Sequence, residues 1–371
     1  MNNLPETVLQ FGSGKFLRAF ADLFIDDANQ SGQAVGRVVV VQSTGDNRAG
    51  SLNRQDGRYH VLVRGLADGV TVDRVQEVGS VSRALVAVNQ WNEVLAVARA
   101  PHLRYLISNS AEVGYTLNPA DNATARPPCS FPAKLLLTLQ ARHEAGLPGL
   151  TILPCELFEQ NGDILLNLVL QLAEAWHLPA AFTHWLSHAC VWCSTLVDRI
   201  VVNKPDAHPL AATDALLIMA EPFAFWAIDD QNGRGNLFRH PAILTTSDVR
   251  PYFLRKVRIL NAAHTALVNK AMPRGFTTVR AAVLDPEIAA WLERLLFDEI
   301  VPTLEGRVDG PATFAHQVLE RFRNPFLEHK LSDIAVYHDA KVKIRLVPTR
   351  EEFTAKFGRE PKLLTEVLGG I

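Results

Sequence analysis

Cysteine is scarce, with four in 371 residues. So few thiols make no disulfide framework, and a reducing cytoplasm is the expected compartment. Long apolar runs are lacking too: no uninterrupted stretch approaches the roughly 20 residues that cross a bilayer, so no membrane partner is expected. Nor is there an excess of one charge. Lys and Arg number 37 against 39 Asp and Glu, a net charge of −2, so no basic surface calls for nucleic acid. The opening "ETVLQFGSGKFLRAF" has neither a basic n-region nor a small-residue cleavage site, and no signal peptide is expected. Low-complexity segments and internal repeats are also lacking.

What remains is a globular composition, 48% hydrophobic and 20% charged. The length exceeds what one ordinary core organises and predicts two or three domains. "TVLQF" (7–11), "GSG" (12–14) and the amphipathic "KFLRAFADLFIDDANQSG" read as strand, tight turn and helix. "GRVVVVQST" (36–44) then reads as a parallel strand buried on both faces. A right-handed βαβ unit follows. "GRYHVLVRG" and "VTVDRVQEV" alternate like an inserted hairpin around Asp68 and Gly69. Helix–strand order recurs in "QWNEVLAVARAPHLRYLISNS" and in "FPAKLLLTLQARHEAG" with "LTILPCEL". The expectation is an α/β Rossmann-type doubly wound sheet over 1–247 and a mainly α-helical domain over 248–371. Within the latter, helices are expected at 251–271, 285–301, 311–322 and 349–369.

The glycines of "FGSGKFLR" stand between the first strand and its helix. Gly12 would make the turn, and Gly14 would let the backbone approach a pyrophosphate where free N–H groups favour an anion. Leu17 occupies the third glycine position of G-x-G-x-x-G, so the generic fingerprint is incomplete and an ordinary βα turn is the alternative. The second strand ends in "VQSTGDNR" without the acidic residue that would accept from an adenosine ribose. Gln42, Ser43 and Thr44 are weaker acceptors, Asp46 lies further on, and Arg48 would suit a 2′-phosphate. This loop leaves NAD and NADP open.

The segment "LRKVRILNAAHTALV" sets Lys256, Asn261 and His264 in an apolar frame. On an α-helix they fall at roughly 0°, 140° and 80°, one broad sector opposite Ile259, Ala262, Ala263, Ala266 and Leu267. A solvated surface helix would also show one polar sector. Against that, Asn and His are poor interior helix formers that gain little from facing water. A lysine with a pKa lowered by burial serves as a general base, and Asn and neutral His donate to a carbonyl or alkoxide oxygen. Such a set suits metal-independent hydride transfer between a nicotinamide and a secondary alcohol or ketone.

"KVRILNAAH" fits the K-x-x-x-x-N-x-x-H pattern of the polyol-specific long-chain dehydrogenases, and "GSGKFLRAF" fits their G-x-G-x-F-x-R-A. With "ISNSAEVGY", "FPAKL", "LPCELFEQNG", "TLVDRIV" and "RFRNPFLEHKL", the chain over most of its length resembles the mannitol dehydrogenase family, and most of all its branch acting on ketohexuronates. The resemblance implies NAD as cofactor and a small-molecule sugar-acid substrate, with the site between a Rossmann and a helical domain. It implies Lys256 as acid/base, with Asn261 and His264 on the reacting oxygen. Gly12, Ser13, Gly14, Lys15, Phe16, Gln42, Ser43, Asn109 and Asp198 would hold the cofactor, and Asp198 would orient Lys256 or the nicotinamide ribose. Glu156, Arg199, Arg321 and Arg323 would face the substrate, with His329 and Lys330 near the two arginines of "ERFRNPF". Glu112 closes the strand that leads to Asn109.

Two departures from the family pattern stand out. The polyol-oxidising members carry an asparagine after the acidic residue of "CDNLPHNG", where Glu156 is followed by Leu157. The chain is also shorter than many members. A fructuronate reductase or mannitol-type polyol dehydrogenase of the same family, and a non-catalytic NAD(H)-binding sensor, stay as alternatives, and the assembly is expected to be a monomer or small homo-oligomer. Cys190-x-x-Cys193 with His184 and His188 would make a metal or redox motif, but it leads into a strand, and buried thiols are the better expectation.

Overall fold

The computed structural model of the chain describes every residue except 1–3, 44, 46, 111, 206, 231–232 and 370–371, and describes only the backbone of 112 and 113. Thr44, Asp46 and the side chain of Glu112 thus lie outside the described residues. The chain divides into two compact units. The first holds the chain up to Leu62, Val75–Ala220 and Ala224–Val249. The second holds Val63–Arg74, Glu221–Phe223 and the chain from Arg250 onward.

Strands β1 (Glu6–Phe11), β2 (Arg37–Gln42), β3 (Tyr59–Ala67), β4 (Val70–Val78), β5 (Val81–Val86), β6 (Tyr105–Ser108), β7 (Thr151–Pro154) and β8 (Val191–Trp192) run through the first half of the chain. Six of them form one sheet in the order β5-β2-β1-β6-β7-β8, parallel at every pairing. Val38, Val39, Val40 and Val41 are all fully enclosed, which is why β2 reads as unbroken β-branched sequence rather than alternation. The order reverses between β1 and β6, and open α/β sheets bind ligands at that switch, beyond the carboxyl ends of the strands.

Two smaller sheets complete the strands: β9 (Thr195–Asp198), β12 (Phe225–Asp229) and β13 (Ile243–Thr246) form one. β10 (Val201–Asn203) and β11 (Ile218–Ala220) join the β3–β4 hairpin in the other. The helix expected over 15–32 is divided at Phe20 (φ −135°, ψ −95°) into Lys15–Arg18 and Ala21–Gln30. Phe20 thereby packs on Phe16, Phe24 and Trp226, with ring centroids 4.8, 4.6 and 5.3 Å apart.

Beneath that break lies a buried polar nest. Asp22 accepts from Gln10 Nε2 and Tyr59 OH, while its Oδ1, Gln10 Oε1 and Arg18 Nε are enclosed without partners. Burial pushes the Asp22 carboxyl up to about 7, only partly offset by Gln10 and Arg18. A folded pKa above the unfolded value of 3.8 means a stabilising contribution that is complete below about pH 4 and lost as pH rises through about 7. Asp22→Asn should therefore gain stability over the wild type by on the order of 2 kcal/mol between pH 5 and pH 8. Denaturant melts at the two pH values measure this, and a difference independent of pH would refute it.

The second unit is helical. Its leading helix runs from Arg250 to Ala271, but Lys256–Asn261 is a π-helical turn inside it. The segment predicted as 285–301 starts from Asp285, whose carboxylate accepts from Glu287 N and Ile288 N, and passes through a second π turn at Leu295–Ile300. The helix expected over 349–369 is two, Val347–Phe357 and Lys362–Leu368. Gly358 in the left-handed region and Pro361 terminate the first and open the second. A further helix, His338–Arg345, was not anticipated. Nor was the tip of the β3–β4 hairpin, which joins this unit by way of Asn324 Nδ2 to Arg64 O (3.0 Å) and Gly69 N to Glu320 Oε1 (2.6 Å). Among the described residues no helix is long and apolar enough to cross a membrane.

Candidate functional site

Two clusters of candidate residues are built by the fold, one in each unit. The first surrounds a cavity of about 380 Å³ at the β1/β6 switch. Gly12, Ser13, Gly14, Ser43, Arg48, Asn109 and Lys134 are among the residues that line it. Gly12 sits at φ +127°, and a Cβ there would come 2.9 Å from Asn109 O and 3.3 Å from Leu17 Cδ1. The first glycine is thus required twice, by backbone conformation and by the close approach of the β6 end. Asn109 N donates to Phe11 O (3.0 Å), and Asn109 Nδ2 to Cys155 O (2.7 Å), so the asparagine ties three strand ends together.

The structure separates the expected cofactor residues. Ser13, Gly14, Ser43 and Asn109 face the cavity. Gln42 does not line it in this way: its Oε1 accepts from Ala49 N (2.7 Å) and caps the Arg48–Arg54 helix, so it is turned into the core. Lys15 is exposed and reaches Asn203 Oδ1 (3.3 Å), and Phe16 stacks on Phe20. Asp198 is buried at the end of β9. Arg48 Nη1 lies 3.9 Å from where a Gly14 Cβ would stand, over the turn itself. Its cation thus lies beside the glycine turn, on the wall of the cavity.

Lys134, in "FPAKL", also lines this cavity. Its Nζ is buried on the cavity wall in the first turn of the 14-residue helix Phe131–Glu144 and donates to Cys129 O (2.5 Å). Burial pushes its ammonium down, with Asp121 opposing. Burial also raises Asp121, but hydrogen bonds from Ser130 and Cys129 more than offset this and hold it below the usual carboxylate range. Two cations, a helix N-terminus and a glycine turn thus converge on one cavity. The residues present fit a dinucleotide's pyrophosphate.

Glu156 and Arg199, expected to face substrate, are instead structural ties. Glu156 is 3% exposed; Oε1 accepts from Ser110 N (2.9 Å) and Ser110 Oγ (3.1 Å), and Oε2 from Ser108 Oγ (3.1 Å) and Tyr115 OH (3.3 Å). Burial pushes its carboxyl up, which the serine hydrogen bonds partly offset. It knits the loop after β6 to the one after β7. Arg199 Nη1 donates to Ala19 O (2.7 Å), behind the glycine turn. Leu157, standing where polyol-oxidising members have asparagine, is 52% exposed. Cys190 and Cys193 are buried and pushed up to about 12 by burial, while His184 and His188 are exposed and stack on each other at 4.0 Å. The thiols and imidazoles do not converge.

The second cluster sits on the Arg250–Ala271 helix. An i→i+5 turn stacks each residue under the fifth along, where an α-helix would use the third or fourth. The π turn spans Lys256 to Asn261, so those two are brought into line, and His264 follows one α-turn beyond. The 140° divergence expected from α geometry is thereby narrowed. The opposite face is pinned: Arg258 donates to Thr349 Oγ1 (2.8 Å) and Glu352 Oε1 (2.9 Å). Lys256 and His264 are buried, at 9% and 7% exposure, so the surface-helix alternative fails.

His264 stacks on Phe322 (4.4 Å) and meets His329 edge-on (4.8 Å). Its Nε2 is enclosed without a hydrogen-bond partner. Burial above all, then the nearby His329, Arg321, Arg345 and Lys256, hold its pKa well below the ordinary value. The imidazole is neutral at pH 7, and a neutral ring with an orphaned nitrogen is ready to hold a substrate oxygen. Arg321 is committed elsewhere: Nε and Nη2 pair with both oxygens of buried Glu221 (2.9 and 2.8 Å), and its guanidinium lies 4.2 Å over Phe223. Arg323 is exposed, just past the end of the Pro311–Phe322 helix.

A parallel sheet with its switch-point cavity, followed by a helical unit bearing Lys, Asn and His in register, defines a Rossmann-type oxidoreductase. Residues 6–239 match the mannitol dehydrogenase Rossmann domain and 248–371 the mannitol dehydrogenase C-terminal domain, and the chain belongs to that family. It is similar to altronate oxidoreductase of Yersinia pestis, 38% identical over 99% of this chain and 79% of that one. It is likewise similar to altronate oxidoreductase of Bacillus subtilis, 37% identical over 97% and 78%. Among solved structures, Pseudomonas fluorescens mannitol 2-dehydrogenase, in a ternary complex with NAD and D-mannitol, shares the fold at TM-score 0.82 and 23% identity, covering 99% of this chain and 78% of that one. A substrate-free D-sorbitol dehydrogenase does so at 0.84 and 23%, over 100% and 80%.

Proposed function

We propose that this protein is an NAD-dependent reductase of ketohexuronates, converting tagaturonate to altronate. The observation that carries the reading is the set of relatives named altronate oxidoreductase, 37–38% identical over nearly the whole chain. Buried Lys256 and His264 flanking half-buried Asn261, and the replacement of the polyol enzymes' asparagine by Leu157, support it. A cytoplasmic enzyme, monomeric or a small homo-oligomer, accords with four free thiols.

When bound, NADH would supply the hydride for reduction of the ketone carbon. Asn261 and His264, the latter through Nε2–H, hold the ketone oxygen and stabilise the negative charge that develops on it. Lys256 gives its Nζ proton to that oxygen as the carbonyl becomes a secondary alcohol, and takes it back in the oxidative direction. The cofactor's pyrophosphate is held by the Gly12–Gly14 backbone, with Arg48 and Lys134 supplying positive charge. NADH is taken as the coenzyme in keeping with the NAD bound by the mannitol 2-dehydrogenase that shares this fold.

The test is a substrate panel of tagaturonate, fructuronate, mannitol and neutral ketoses, followed by NADH and NADPH absorbance. Tagaturonate with NADH should give the highest kcat/KM. Absence of turnover with every ketouronate would sink the reading and favour a nucleotide-binding sensor.

A further inference from the structure

A ketohexuronate carries its carboxylate at the far end of the carbon chain from the reacting ketone, and a planar bidentate donor recognises it best. The arginines in "ERFRNPF" do not serve. Arg321 spends two donors on Glu221, and Arg323 is exposed beyond the helix end. The helix His338–Arg345 brings in another. Arg345, in its last turn, donates from Nη1 to Thr265 Oγ1 (3.2 Å). Thr265, next to His264 and fully buried, passes its own hydroxyl proton to Asn261 O (2.9 Å). Arg345 is thus fixed on the helix that carries Lys256, Asn261 and His264, one residue from the imidazole with the orphaned Nε2. His329, edge-on to that imidazole, adds a second polar group on the same side of the unit.

We infer that Arg345 is the specificity-determining residue that receives the sugar-acid carboxylate, so that the site discriminates uronates and aldonates from uncharged ketoses and alditols. This rests on the reductase reading, which supplies the substrate class. The geometric basis is the Arg345–Thr265–Asn261 chain. It ties the cation to the helix that carries the oxygen-holding pair, at the turn between Asn261 and Thr265.

Calorimetry of the NAD-loaded full chain with altronate, and with the uncharged alditol altritol, separates the two ideas. Arg345→Gln should weaken altronate binding roughly 100-fold and leave altritol binding within a factor of about 3. Arg345→Lys, which keeps the charge and loses the fork, should fall between, about 10-fold weaker, and serves if the glutamine variant does not fold. Wild type that binds altronate through Arg345 yet reduces no ketouronate would uphold this assignment and defeat the reductase reading. Equal altronate affinity in wild type and both variants, or loss of altritol binding to the same degree, would overturn the assignment and leave the reductase reading standing.

Discussion

Lys256→Ala should lower kcat for ketouronate reduction by roughly 10³-fold while leaving the NADH dissociation constant nearly unchanged. The asymmetry follows from where the lysine sits. It lies in the helical unit, at the start of the π turn, whereas the cavity that fits a pyrophosphate is lined by residues of the Rossmann unit. On the proposed mechanism, removing the ammonium would delete the proton donor for the developing alkoxide without touching the glycine turn. Stopped-flow reduction and an NADH fluorescence titration measure the two quantities. A variant retaining most of its turnover would falsify the acid/base role. One that loses NADH affinity in parallel would show instead that the lysine's contribution is to binding.

Gly12→Val gives the complementary outcome. A side chain at φ +127° costs about 1–3 kcal/mol in backbone strain. Its Cβ would also press on the Asn109 carbonyl, which belongs to the end of β6 and cannot withdraw without breaking the Asn109 N to Phe11 O bond. The turn must open, and the cavity with it. NADH affinity should fall about 100-fold, the equivalent of roughly 3 kcal/mol. Titration of NADH fluorescence decides it, with a melting curve confirming the fold. Unimpaired affinity would mean that the nucleotide lies elsewhere. A Lys256→Ala protein that binds but does not turn over, beside a Gly12→Val protein that does not bind, would assign the two clusters their separate tasks.

Much of the fold was legible because the relevant signals are local. The β-branched run of β2 announces burial on both faces, and Gly-x-Gly between strand and helix announces the turn. The change from alternating to helical patterning near residue 248 marks where the second unit's long run begins. Other assignments turn on groups distant in sequence. Gln42 is an apt ribose acceptor until Ala49 N occupies its amide oxygen. Glu156 invites a substrate role until Ser108, Ser110 and Tyr115 enclose it. Arg321 matches a carboxylate in type, but Glu221, a hundred residues earlier, already fills its fork. Arg345 carries no motif at all; only the packing of its helix beside Thr265 distinguishes it from the other arginines of the region.

The sequence by itself determined the class of protein. Strand burial, the glycine turn and the spacing of Lys256, Asn261 and His264 are local properties, fixed by backbone sterics and side-chain chemistry. Only the tertiary structure decided how those three act together. Ideal α geometry spreads Lys256 and Asn261 by roughly 140°, and no residue type in "KVRILN" announces a π turn. An extra residue in a helical turn is tolerated when surrounding packing holds it, here with Arg258 tied to Thr349 and Glu352 on the opposite face. Those ties span some ninety residues of chain, and their effect on the helix is written in no window of the sequence that contains it.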